Sequence, residues 1–170
     1  MFRFFKKQRP QSAKIDESPQ YGTAPGTEIR YHPELIKQLK ADHQTLFGLH
    51  ADLERAFEQN ALDVVREKLG ALQDMLNDHL LNENVRLYAY LEACFAHDST
   101  QHELIRGFRQ EMNGIAKNAR GFLKKYAELA EKPELHAHFM PELNATWGVF
   151  ADRLRREEQN LYPLYRPPSS

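Results

Sequence analysis

Apolar residues recur at three- and four-residue steps in four long stretches, the spacing that stacks side chains on one face of an α-helix. Over about 33–58 the stripe is Leu35, Leu39, His43, Leu46, His50, Leu53 and Phe57. Over about 61–96 it is Val65, Leu69, Leu72, Leu76, His79, Glu83, Leu87 and Leu91. The third, about 100–131, carries His102, Ile105, Phe108, Met112, Ile115, Ala119, Phe122, Tyr126 and Leu129. The fourth, about 141–163, carries Leu143, Trp147, Phe150, Leu154, Glu157 and Leu161, and runs on to Leu164. No stretch alternates with the two-residue period of a strand. Pro33 suits a first helical turn, and Thr100 and Glu103 have capping-box spacing at the start of the third helix. Pro133 and Pro141 punctuate the longest interior break, "EKPELHAHFMP". Tight turns between the first three helices favour antiparallel neighbours, so the pattern predicts an all-α, up-down-up-down four-helix bundle over residues 30–166. A flexible leader, 1–29, precedes it, because the stretch from Lys7 to Glu28 is rich in Pro, Gly, Ser, Gln and Thr and lacks sustained periodicity. A short tail, 167–170, follows.

Each stripe contains an ionisable residue where a core residue belongs: His43 and His50, His79 and Glu83, His102, and Glu157. A lone histidine on an apolar face is commonly a hydrogen-bonded core residue, but here all four helices show the same intrusion. A buried carboxylate costs several kcal/mol unless a partner compensates it. An internal repeat sharpens the pattern. Aligning "HLLNENVRLYAYL" (79–91) with "RLRREEQNLYPLY" (153–165) superposes Glu83 on Glu157, Leu87 on Leu161 and Tyr88 on Tyr162. "HQTLFGL" from His43 likewise resembles "HELIRGF" from His102. Two similar halves packed together would bring these polar positions to one level of a bundle core, where metal sites are built from facing helices. Imidazole and carboxylate together suit a first-row divalent metal, and two carboxylates can bridge two such ions. Bound metal would also stabilise ionised Glu and neutral His in the interior.

Composition narrows the partners. Lys and Arg total 23 against 24 Asp and Glu, and the pI near 6.7 argues against a dedicated nucleic-acid binder. Cys94 is the single cysteine, so no internal disulfide forms; this fits a reducing cytoplasm. It is expected to be a small packed thiol. No apolar run approaches the roughly 20 residues of a membrane span. The tip "MFRFFKKQRP" lacks the pattern of a secretory signal and is expected to be a disordered basic end. There is no nucleophile triad and no Gly-rich phosphate loop. His97, His136 and His138 fall in expected breaks, where solvated loop histidines are the default. Tyr88 and Tyr162 are expected to pack, with hydrogen bonds near the polar layer as the alternative.

His43, the pair His79-x-x-x-Glu83, His102 and the stretch "EEQNLYPL" resemble the hemerythrin-like HHE cation-binding family, over about residues 30–166. The resemblance implies a four-helix bundle around a non-haem di-iron centre. In that frame His43 is a ligand from the first helix, His79 a terminal ligand, and Glu83 a bridging carboxylate. His102 is the ligand from the third helix and Glu157 the second bridge. Two irons, one iron or another divalent metal are the cofactors implied. The function implied is to bind or sense a small ligand such as dioxygen or nitric oxide, or to handle iron. Ferritin-like di-iron bundles match less well, because they use Glu-x-x-His, the opposite order. The chain departs from the family pattern once: Arg153 stands where a histidine is expected four residues before the last bridging Glu. Arginine stays protonated and does not ligate. His50 as a substitute nitrogen, an open position on one iron, a single metal, and a metal-free regulatory or protein-interaction bundle with Arg153 neutralising the carboxylates are the alternatives. They differ in whether Arg153 faces the site. No residue points specifically to catalytic turnover.

Overall fold

The computed structural model describes residues 21–168. The described chain is all-helical: α1 (Leu35–Glu58), α2 (Leu62–Asn82), α3 (Ala89–Cys94), α4 (Ser99–Tyr126) and α5 (His136–Arg156). A π-helical segment, Glu83–Tyr88, joins α2 to α3, and a second, Glu157–Leu161, extends α5. The result is four rods, and helix α1 packs on α2 and α4 on α5. Among the described residues no helix is long and apolar enough to cross a membrane.

Helix boundaries differ from expectation, and α4 ends at Tyr126 rather than near residue 131. Helix α4 starts at Ser99 because Asp98 serves as its N-cap, accepting a 3.0 Å bond from the Gln101 N–H. That carboxylate does the capping expected of Thr100. Helix α5 starts at His136, so Pro141 lies inside it rather than at its start. A proline there removes one backbone bond and crowds the carbonyl four residues earlier. The extra turn buries Phe139 against Phe57, Phe122 and Tyr126, at ring separations of 4.7–5.8 Å, and burying such a ring offsets about 1.5–3 kcal/mol.

Residues 1–20 of the expected leader and its basic tip, and residues 169–170 of the tail, lie outside the described residues. Residues 21–29, assigned to the same leader, instead form a turn closed by an isolated bridge between Thr23 and Arg30. Ala24 is buried there, and Gly26 takes the left-handed φ of +69° that glycine tolerates. Tyr31 holds this arm down by stacking on Tyr165 at 4.8 Å, while the His32 N–H donates to the Tyr165 hydroxyl at 2.9 Å. The apolar and aromatic residues in this short stretch outweigh its polar composition.

The core is divided. One apolar cluster contains Leu46, Leu53, Leu69, Leu76, Met112, Phe139 and Leu154; the other contains Leu35, Leu39, Leu87, Ile105, Phe108 and Leu161. Along α1 the chain passes from the second cluster to the first, along α2–α3 from the first to the second, along α4 back again, and along α5 to the second once more. Between them lies a polar layer. Its members are His43, His79, Glu83, Arg153 and Glu157, the buried polar side chains among the described residues, each 0% exposed.

Candidate metal centre

Each candidate ligand position follows from where its helix crosses the polar layer. Helix α1 presents His43 between Leu39 and Leu46, and α2 presents His79 one turn beyond Leu76. Glu83 and Glu157 each open a π-helical segment. Such segments shift the register of a helix and are frequent at functional sites. They also place a tyrosine five residues on, Tyr88 after Glu83 and Tyr162 after Glu157.

His43, His79, Glu83 and Glu157 each turn one ligand atom inward, and these atoms lie within 4.8 Å of one another. Nε2 of His43 is 3.7 Å from Oε2 of Glu157, and Nε2 of His79 is 3.7 Å from Oε2 of Glu83. Four donors held about 2.1 Å from one ion in a tetrahedron stand about 3.4 Å apart, so these two 3.7 Å pairs need little contraction to close on a cation. Nε2 of His79, Oε2 of Glu83 and both oxygens of Glu157 have no hydrogen-bond partner. Unpartnered buried acceptors are costly; several converging on one point form a cluster compatible with metal binding.

The far sides of both imidazoles are anchored by acidic groups. Glu158 Oε1 lies 2.8 Å from His43 Nδ1, and Asp42 Oδ2 lies 3.4 Å from His79 Nδ1. A carboxylate only accepts, so each pairing puts the ring proton on Nδ1 and frees the Nε2 lone pair, the arrangement that orients metal-ligating histidines. Lys40 stands 3.8 Å from Glu158 at the surface. Sequence reasoning missed Asp42 and Glu158. The available signal was adjacency: each neighbours a ligand in the chain, yet serves the histidine of another helix.

Arg153 points into the layer. Its Nη2 donates to the Tyr88 hydroxyl at 2.8 Å and to the Phe108 carbonyl at 2.9 Å. The same nitrogen is 2.9 Å from Glu157 Oε1, an ion pair without hydrogen-bond alignment. The guanidinium lies 4.3 Å over the Phe108 ring, a cation–π contact. Two carboxylates facing one guanidinium leave the layer one positive charge short. Burial accordingly pushes the carboxyl of Glu83 up, and pushes that of Glu157 well up with the nearby Glu83 charge adding to it. Burial likewise lowers His43 from 6.5 to about 4, against the pull of Glu158.

The halves are therefore unequal. The first half supplies His43, His79 and Glu83, with the Tyr162 hydroxyl 3.0 Å from both His43 Nε2 and Glu83 Oε1. The second half supplies Glu157 and Arg153, with Tyr88 on the guanidinium. Each tyrosine thus serves the opposite half, and both hydrogen-bond at the layer as well as pack.

His102 does not join the group. It is half-buried in the first turn of α4, and the α4 residue at the level of Arg153 is Phe108. Six residues separate them, about 9 Å along a helix axis. His50 is also apart, stacked on Trp147 at 4.4 Å, so it offers no substitute nitrogen. His97 and His138 are exposed, while His136 bonds the Leu129 carbonyl at 3.0 Å.

The family model described as Hemerythrin HHE cation binding domain matches residues 34–165. No curated protein and no solved structure matches the chain.

Proposed function

The chain belongs to the hemerythrin HHE cation-binding family, and from that premise we propose that it holds one first-row metal ion, iron by family resemblance, and uses it to bind a small ligand such as dioxygen or nitric oxide. His43, His79, Glu83 and Glu157 would hold the ion. Arg153 takes the place of a second cation, so the reading is one ion rather than the two implied by the motifs. The observation that carries it is the convergence of unpartnered, fully buried donor atoms from His79, Glu83 and Glu157 beside His43. The order in which the rods traverse the two apolar clusters supports an antiparallel up-down-up-down bundle around this layer.

A bound ion would supply a Lewis-acidic, redox-active position for the small ligand. The chain's own residues do the rest. Leu and Phe side chains on both sides of the layer exclude water, and Asp42 and Glu158 keep both Nε2 lone pairs directed inward. Arg153 favours the ionised form of Glu157 against burial and the Glu83 charge, and Phe108 closes the second half to further donors. That inward guanidinium also favours a second reading, a metal-free bundle in which Arg153 alone neutralises the layer and the protein acts through its surface.

Elemental analysis of protein purified without chelators, repeated after anaerobic iron loading, separates the readings. About one ion per chain, lost in His79→Ala and Glu83→Ala, is the expected result. Two ions per chain would overturn the role given to Arg153. No retained metal under either condition would leave the metal-free bundle.

A further inference from the structure

The Tyr162 hydroxyl makes two contacts that one proton cannot satisfy. The Glu158 carboxylate, 2.8 Å from His43 Nδ1, places the ring proton there, so Nε2 presents a lone pair. Oε1 of Glu83, the acceptor of the phenol proton, also only accepts in the carboxylate form that holds a cation. The phenol oxygen lies 3.0 Å from each, has one proton to donate, and is one proton or one cation short of satisfying all three atoms. The 3.0 Å spacing has a second meaning. Two donors about 2.1 Å from one ion and at right angles to each other are separated by about 3.0 Å. Tyr162 is also held in place: its ring stacks on His43 at 5.6 Å and 23°, it is 3% exposed, and its backbone lies just past the π-helical segment that Glu157 opens.

We propose that Tyr162 Oη is a fifth ligand of the ion, giving a donor set of two nitrogens and three oxygens that selects a hard, highly charged ion such as iron(III). The inference rests on the metal reading of the same site. On coordination the phenol O–H bond breaks heterolytically: the electron pair stays on oxygen and is donated to the ion, the proton passes to water, and no electron is transferred. Tyr88, the counterpart in the other half, is engaged by Arg153 and stays a phenol.

The test loads the full chain with iron(III) from its nitrilotriacetate complex, removes the excess, and records the visible spectrum and iron content. Wild type and Tyr88→Phe should show a phenolate-to-iron(III) charge-transfer band. Tyr162→Phe should lose the band while still binding iron, with affinity weakened by at least the roughly 10–100-fold that loss of an outer-shell partner costs. Zinc(II) affinity should fall less than iron(III) affinity in Tyr162→Phe, a selectivity that a merely structural role would not produce. Resonance Raman spectra of the wild type, excited in the band, should show tyrosinate ring modes, which keeps the test decisive should Tyr162→Phe fail to fold. Bound iron without a band, or a band that survives in Tyr162→Phe, would overturn the proposal. Wild-type protein that takes up no iron would overturn the metal reading itself.

Discussion

Replacing Arg153 with Met should move stability and metal affinity in opposite directions. The guanidinium is 0% exposed and is the buried positive charge beside Glu157, at 2.9 Å. Removing one partner of a buried ion pair costs about 3–5 kcal/mol, because the other is left uncompensated. Met leaves the Tyr88 hydroxyl and the Phe108 carbonyl without the donor that Arg153 now provides, and such a group costs about 1–3 kcal/mol. Protonation of Glu157 recovers part of this, so a net loss of about 3–5 kcal/mol is expected, a large share of the roughly 5–15 kcal/mol that holds a domain together. With a cation bound the sign reverses. Two unit charges 5 Å apart at an effective permittivity of 20 interact by about 3 kcal/mol, and a dication held by Glu157 doubles its repulsion with Arg153. The Met variant should therefore bind zinc(II) at least ~10-fold more tightly, well below that Coulomb figure because solvent and neighbouring dipoles relax. Urea unfolding in the presence of a chelator, paired with calorimetric zinc(II) titration of both proteins, measures the two effects. A stability loss below about 1 kcal/mol would mean that Glu157 does not depend on the guanidinium. Unchanged or weaker zinc(II) binding would refute the reading of Arg153 as a built-in competitor of the metal.

Asp42→Asn and Glu158→Gln should each weaken metal binding by roughly 10–100-fold with little change in fold, as read by competition with a chromophoric chelator; an unchanged affinity would mean that the Nδ1 contacts do not orient the ligands. His102→Ala should leave metal content unchanged, and loss of the ion in that variant would restore His102 as a ligand and require α4 to pack differently. Acidification should test His43 in the metal-free chain. Its folded value of about 4 lies below the ordinary 6.5, so the unfolded chain takes up the proton first. Relative to His43→Gln, the wild type should lose up to about 3 kcal/mol of unfolding free energy as pH falls from 6.5 to 4, at ~1.4 kcal/mol per unit. Parallel pH profiles for the two proteins would refute the burial of a neutral imidazole.

Helical periodicity carried most of the architecture. The stripes through Leu35, Val65, Ile105 and Leu143 identified the buried faces, and the same periodicity placed His43, His79, Glu83 and Glu157 on them, since an ionisable residue on a core stripe interrupts an otherwise apolar series. His102 illustrates the limit of that argument. It continues the α4 stripe through Ile105 and Phe108, yet a stripe defines a face and not a height, and the axial offset between rods put Phe108 rather than His102 at the polar layer. The inward direction of Arg153 was equally hidden. An arginine four residues before Glu157 can pair outward or inward, and only the neighbouring Tyr88 hydroxyl and Phe108 carbonyl settle it. Asp42 and Glu158 escaped the sequence reading because each bonds across helices, at sequence separations of 37 and 115 residues. Local sequence determines which side of a helix is buried, because that depends on 3.6-residue geometry. Which atoms meet inside depends on how far each rod slides along the others, and that sliding is decided only when all four faces pack at once.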